Sequence, residues 1–388
     1  MLVLQLAIIL LASKLAGDLS VRLGQPSVLG KLIIGIILGP SVLGWVTNSD
    51  ILHELSQIGV ILLMFLAGLE TDLDEFKKSA KASTSVGLAG IIAPLGLGYL
   101  AGMAMGMHAF ESLFLGLLLS ATSVSISVQT LKELGQLKSR EGATVLGAAV
   151  IDDVVVILAL AFLMSFSGGD VDLGMVILKK VIFFGAIILL SWKVVPWVLK
   201  RFAPLQVTEP VVTGALIICF LFAYFADYTG VANIIGAYIA GIAISLTNFK
   251  NEITHKTETI SYAVFVPLFF TSIGVSAEFG GILDNLWLII LLSLLAIVTK
   301  LVGGAIGAKI CGFPWANSMA VGAAMISRGE VALIIAAIGL QNNLLTADMF
   351  AVLIVVVLVT TIVTPPLMKL FFSRVKAEPE KLVLKKDA

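Results

Sequence analysis

The run Gly147-Ala148-Ala149-Val150-Ile151-Asp152-Asp153-Val154-Val155-Val156 sets two adjacent carboxylates into an otherwise apolar stretch. A carboxylate at bilayer depth costs about 2.5–3.5 kcal/mol on insertion, so a neighbouring pair opposes folding unless the protein compensates for it. Successive residues point about 100° apart around a helix. One acid can therefore face a partner helix while the other faces a cavity. Capping or loop acids are the plain alternative, and the two or more apolar turns on either side weigh against it. The run reads as a membrane-crossing helix built around Asp152 and Asp153.

The rest of the chain has the composition such a helix needs. Of 388 residues, 59% are apolar and 13% charged, with a mean hydropathy of +1.07. Soluble domains run about 45–50% apolar and about 25% charged, which excludes a soluble enzyme, a nucleic-acid binder and a disordered chain. Basic and acidic residues balance at 25 each, leaving no basic face for DNA. Cys219 and Cys311 lie in or beside apolar runs and read as unpaired buried thiols, not a disulfide.

With about 20 apolar residues per crossing, turn and charge punctuation divides the chain into thirteen spans. They lie near 1–16, 28–44, 57–70, 84–106, 110–131, 141–166, 175–198, 210–227, 231–247, 258–275, 284–308, 316–340 and 347–372. The third, interrupted early by Glu70-Thr71-Asp72, also admits a re-entrant reading. The fold class is an all-α membrane protein. Counting odd-numbered connections and the C-terminal tail together places 21 of the 25 basic residues on one side. The exceptions are Lys179, Lys180, Lys300 and Arg328. The positive-inside rule then predicts an external N-terminus and a cytoplasmic C-terminus. No basic segment precedes the first apolar run, so a cleaved signal peptide is not expected. The short hydrophilic tail predicts no nucleotide-binding domain.

Three further features break the spans. Lys300 lies about 12 Å and Asp152 about 16 Å from the basic face, counted at ~1.5 Å per residue. These depths permit an ion pair; a snorkelling lysine is the alternative. Thr122-Ser123-Val124-Ser125-Ile126-Ser127 puts four hydroxyls into six positions of span five. Such a run either bonds back to its own helix or lines an interrupted helix whose freed carbonyls face a cavity. Ser327-Arg328-Gly329-Glu330 interrupts span twelve, as a second break, a structural Arg328–Glu330 pair, or both. His53, His108 and His255 fall in predicted connections and read as solvated.

The chain also echoes itself. Leu63–Glu70 resembles Leu268–Val275, with Gly68 and Gly274 206 residues apart, and Ala121–Ser127 aligns at nearly the same offset with Met325–Glu330. Each pair is seven spans apart, so the copies cross in opposite directions, the inverted-repeat arrangement of many secondary transporters. No span carries a zinc-ligand pair such as HExxH or a Ser–His set, so no enzyme activity is expected.

Gln25-Pro26-Ser27-Val28-Leu29-Gly30, Gly35, Leu38-Gly39-Pro40, Phe65-Leu66-Ala67-Gly68-Leu69-Glu70, Ala121-Thr122-Ser123-Val124, Gly147–Asp153 and Ser327-Arg328-Gly329-Glu330 occur in one order. Together they resemble the monovalent cation:proton antiporter-2 (CPA2) family, most of all its NapA-type and GerN-like sodium/proton antiporters. Kef-type potassium systems usually carry an amide where this chain has Asp152. The resemblance implies a dimer of thirteen-helix subunits. Each has a core bundle, near 84–166 and 284–372, moving elevator-like against a dimerisation bundle, near 1–70 and 210–275. A linker helix near 175–198 joins them, and the transmembrane domain covers 1–373 with a cytoplasmic tail at 374–388. Spans five and twelve would be crossed broken helices.

The same resemblance implies that Asp153 is the principal cation and proton site, that Asp152 pairs with Lys300, and that Thr122 and Ser123 line the cavity. Arg328 and Glu330 would stabilise the breaks. Na⁺ would be held by Asp153 and Asp152, and a proton competes for the same oxygens, so exchange of cytoplasmic Na⁺ or Li⁺ for external H⁺ follows, electrogenic by likeness. Electroneutral K⁺(Na⁺)/H⁺ exchange, a K⁺ channel and sodium–solute symport on the same fold stay open. Beyond the transported ions no cofactor is expected, and the partners are monovalent cations, protons, membrane lipids and a second copy in the plasma membrane.

Overall fold

The computed structural model describes residues 2–375 except positions 48, 72, 167–172, 277–284 and 343, so the predicted tail beyond 375 lies outside the described residues. The described chain is helical, with no strand among those residues. In order the helices are α1 (Leu2–Arg22), α2 (Ser27–Leu38), α3 (Asp50–Glu70), α4 (Leu73–Ala104), α5 (Ala109–Ser120), α6 (Val124–Glu133), α7 (Arg140–Phe166) and α8 (Leu173–Phe202). Then come α9 (Pro210–Tyr228), α10 (Asn233–Ser245), α11 (Lys250–Ile260), α12 (Val266–Val275), α13 (Leu286–Ile310), α14 (Trp315–Ala324), α15 (Glu330–Gln341) and α16 (Ala347–Phe372). A π-helical turn at Ser261–Phe265 joins α11 to α12.

Ten helical runs among the described residues are long and apolar enough to cross a bilayer, and shorter apolar helices lie at Ser27–Leu38, Asn233–Ser245 and Val331–Leu340. Two elements differ from the sequence reading. The third span, read as short and open to a re-entrant path, is a 21-residue helix. Its first two turns carry Asp50, His53, Glu54, Ser56 and Gln57, which hide the helix from a hydropathy reading. Ser49 starts it by accepting the Leu52 N–H at 3.4 Å, a side-chain N-cap. Likewise α4 begins at Leu73, extended beyond the apolar run by a charged helical stretch containing Asp74, Glu75, Lys77, Lys78 and Lys81.

The helices fall into two packing groups. In one, α4 lies against α5, α7 and α13, and α13 against α14 and α16. In the other, α2 packs on α1 and α12, and α10 on α3 and α9. The half-length helix α6 touches both, with α2 and α3 on one side and α7 and α16 on the other. Between helices in a bilayer the hydrophobic effect supplies little force, so small residues that let backbones approach carry the packing. The echoed glycines do this. A Cβ at Gly68 would sit 2.1 Å from the Tyr238 carbonyl oxygen, and one at Gly274 2.3 Å from that of Leu32.

Gly68→Val should force α3 off α10, at a cost of about 1–3 kcal/mol by overpacking. The expected outcome is a melting temperature several degrees lower for the detergent-purified protein. Gly96→Ala, where a Cβ meets nothing within 4 Å, should leave it unchanged or slightly raised; equal effects of the two would contradict this packing.

Candidate functional site

The site begins with helix geometry. In α7, Asp152 and Asp153 are buried, at 0% and 1% exposure. Lys300 of α13 is buried at 0%, and its Nζ lies 2.9 Å from Asp152 Oδ1. Both helices pack on α4, and the bridge passes it at Gly90, where a Cβ would lie 3.8 Å from Nζ. Lys300 is thus paired, and the snorkelling alternative falls. Asp153 and Arg328 are also within electrostatic reach of Lys300, so two anions and two cations share one water-poor pocket. Buried charges persist only when paired or hydrogen-bonded. Thr122 faces the Asp152 carboxylate with its hydroxyl and its backbone N–H, although the hydroxyl completes no hydrogen bond of good geometry.

Thr122 stands there because its helix is broken. Residues 121–123 separate α5 from α6, and residues 325–329 separate α14 from α15. The two breaks bond each other. The Ser123 N–H donates to the Ser327 carbonyl at 2.7 Å, and the Ser327 hydroxyl donates back to the Ser123 carbonyl at 2.7 Å. Ser127 Oγ donates to the Ala324 carbonyl at 2.5 Å. Its hydroxyl also meets that of Ser327 at 3.1 Å. A Cβ at Gly329 would lie 2.9 Å from Ser123 Cβ, so a side chain there would push the crossing apart.

A helix end leaves carbonyls unpaired, and in hydrocarbon the protein must satisfy them. Arg328, at 0% exposure, does so. Its Nη1 donates to the Ile326 carbonyl at 3.0 Å. Its Nη2 donates to the Ala296 carbonyl at 3.1 Å and to the Leu119 carbonyl at the end of α5. A cation at that negative helix terminus is also favoured by the macrodipole. Thr361 of α16 fixes the arginine's own carbonyl at 2.6 Å. The Glu330 backbone opens α15, but its side chain lies outside the described residues, so the predicted Arg328–Glu330 pair goes unaddressed.

A cavity of about 270 Å³ reaches this centre. It runs from exposed His53 past Gln57, Ser272 and Ser276 to Thr122, Ser123, Ser125 and Gly329. One wall belongs to the breaks and α16, the other to α3, α10 and α12. The hydroxyls of Ser56 and Ser272 meet at 2.7 Å on the second wall. Of the sequence-predicted residues, Thr122 and Ser123 line the cavity, and Asp152, Asp153, Lys300 and Arg328 cluster behind it.

Some readings change. His53 belongs to the first turn of α3 and lines the cavity, and His255 lies within α11; only His108 precedes a helix, as a connection residue. Cys219 is buried, while Cys311 is only partly so. Sequence reasoning missed Thr361 and the spacer Gly90. Thr360, Thr361 and Thr364, all at 0% exposure, form a hydroxyl cluster in an apolar span that signals the former. For Gly90, one glycine among 36, there was no signal.

Crossed helix breaks, with oppositely charged side chains buried beside them and a cavity reaching the hydroxyls of one break between mostly apolar walls, define an ion-handling membrane transporter. The sodium/hydrogen exchanger transmembrane family matches residues 7–372, and the chain belongs to that family of multi-pass antiporters. It is 57% identical to a Na⁺/H⁺-K⁺ antiporter, GerN, of Bacillus cereus, over 95% of this chain and 96% of the relative. It is 42% identical to a Na⁺/H⁺ antiporter of Enterococcus hirae, over 96% and 98%. Its fold is similar to that of the sodium proton antiporter MjNhaP1 from Methanocaldococcus jannaschii, with a TM-score of 0.71 at 14% identity over 95% and 96% of the two chains.

Arg328→Met should strand the Leu119 and Ile326 carbonyls at the helix breaks and leave the two carboxylates with one cation. Loss of a buried charge partner costs about 3–5 kcal/mol, so a large drop in melting temperature is expected. Arg328→Lys should recover only part of it, because an ammonium lacks the planar fork. A full recovery would show that charge alone, not the shared carbonyls, is what the site requires.

Proposed function

We propose that the protein is a secondary antiporter of the plasma membrane that exchanges cytoplasmic Na⁺ (or Li⁺) for external H⁺. The observation that carries this reading is the buried Lys300–Asp152 pair beside Asp153, at the inner end of a cavity walled by two helix breaks. Asp153 is the principal carrier, joined by Asp152, with Thr122 and Ser123 supplying oxygens along the entry. A hard monovalent cation and a proton compete for the same carboxylate oxygens, so binding one releases the other. When sodium displaces Lys300 from Asp152, the lysine gives up its proton. With the proton from Asp153, two protons then move per sodium, and transport is electrogenic.

Thirteen spans in two inverted repeats, an external N-terminus and a cytoplasmic C-terminus complete the reading. The core bundle, near 84–166 and 284–372, slides as an elevator against a dimerisation bundle, near 1–70 and 210–275, with a linker helix near 175–198. Two separate packing groups with a cavity along their boundary support this. Potassium as a further substrate is favoured by the chain's 57% identity to the Na⁺/H⁺-K⁺ antiporter of Bacillus cereus.

Asp153→Asn should abolish cation-driven proton movement in proteoliposomes; full residual exchange would overturn the site. Lys300→Ala should weaken transport and lower the charge moved per cation, read as a reduced response to an imposed membrane potential. Titrating Na⁺, Li⁺ and K⁺ in the same dequenching assay separates sodium from potassium exchange, and uphill movement driven by a proton gradient excludes a channel.

A further inference from the structure

The cavity wall and its sealed counterpart are opposite ends of one short helix. The N-terminal end of α6, at Ser123–Ser125, lines the cavity. Its C-terminal end, at Lys132 and Glu133, is bound across the boundary to the other packing group. Lys132 Nζ contacts a Glu70 carboxylate oxygen at the end of α3 and lies 2.7 Å from Glu258 Oε1 of α11. It also sits 4.7 Å from the centroid of the Tyr262 ring. Glu133 accepts both the backbone N–H and the hydroxyl of Ser27, each at 2.5 Å. Ser27 opens α2, whose preceding Pro26 makes no side-chain cap, so Glu133 caps that helix from across the boundary. Gln129, one turn earlier on α6, steadies Glu133 at 2.8 Å.

The Lys132 contacts are half-shielded, with side-chain exposures of 23% for Lys132, 15% for Glu70 and 34% for Glu258, and the Glu133–Ser27 bonds lie exposed beside them. The Lys132 pairs are therefore stronger than open surface pairs yet within reach of water. Apart from the Gln129–Glu133 bond within α6, every contact joins α6 to α2, α3, α11 or the π-helical turn after α11, none of which belongs to the group around α4. A rigid slide of the α4 group, α6 included, must break all of them at once.

We propose that Lys132 and Glu133 form a latch that seals the basic face of the boundary and so holds the cavity open only at the His53 face. They are positioning residues of the transport cycle: they touch no transported ion, and they set how much of the protein waits in this state. The proposal rests on the alternating-access reading above. On release, Glu70 and Glu258 lose their cation and face the newly opened mouth, where they attract incoming cations; the same two carboxylates serve in the seal and then as funnel.

Hydrogen exchange read by mass spectrometry on the full-length protein in nanodiscs tests this without any transport step. Lys132→Gln/Glu133→Gln should raise exchange in segments 124–133 and 250–262 and lower it in segments 50–58 and 268–276, with the open-to-closed ratio moving roughly tenfold, the equivalent of about 1.4 kcal/mol. Lys132→Arg should keep the parent pattern. An unchanged pattern in the double variant overturns the latch, and so does a uniform rise at both faces, which marks simple loosening. If the double variant fails to fold, Glu258→Gln, which removes one arm, is read by the same criteria. Because the readout is conformational, a failed latch leaves the Asp153→Asn result standing, and a failed exchange assay leaves the latch result standing.

Discussion

Burying charge where water cannot follow is the constraint on which this structure depends. Asp152, Asp153, Lys300 and Arg328 are all at most 1% exposed, and each would be costly alone. Their mutual placement removes most of that cost. Lys300 meets Asp152 at 2.9 Å, while Arg328 is occupied with carbonyls at 3.0 and 3.1 Å. One cation is thus committed to a carboxylate and the other to the backbone. The committed backbone cation permits the helix breaks, and the breaks let a cavity reach Thr122, which faces the Asp152 carboxylate. Removing any part exposes the rest to an unmet desolvation cost.

The same division organises the fold at larger scale. Close glycine-to-carbonyl approaches, as at Gly68 on Tyr238, weld helices within a packing group, where nothing polar needs to change partners. Across the boundary, apolar packing around α6 is joined by contacts of another kind. These are a cavity with hydroxyls on both walls at one face and half-shielded ion pairs at the other. Packing of small residues is all-or-none, because a backbone held at van der Waals distance has no second arrangement. Ion pairs near water exchange partners at little net cost. The slide proposed for this boundary would ask only the second kind to change partners.

Much of this was legible in the amino-acid order. Apolar run length identified the membrane class, and nearly every span maps to a helix. Asp152, Asp153, Lys300 and Arg328 stood out because a charge in an apolar run is expensive and therefore kept for a reason. The misreadings have a common physical cause. Hydropathy measures what a helix shows to lipid, so polar turns such as Asp50–Gln57, whose His53, Ser56 and Gln57 line a cavity instead, read as a connection in the sequence. The reciprocal bonding of Ser123, Ser127 and Ser327 could be suspected from hydroxyl density, but not its pairing.

Composition and periodicity by themselves determined that the chain is an all-helical membrane protein with a buried carboxylate pair, because the cost of charge in hydrocarbon depends on local sequence alone. Only the tertiary structure decided that Lys300 faces Asp152, that Arg328 serves the carbonyls of three separate segments, and that Lys132 and Glu133 reach across to α2, α3 and α11. All but two of those partners, Ile326 and Ala296 of Arg328, lie 62 to 209 residues apart along the chain. Which of many orphaned groups meets which cation is settled by how helices pack, and no local rule carries that information.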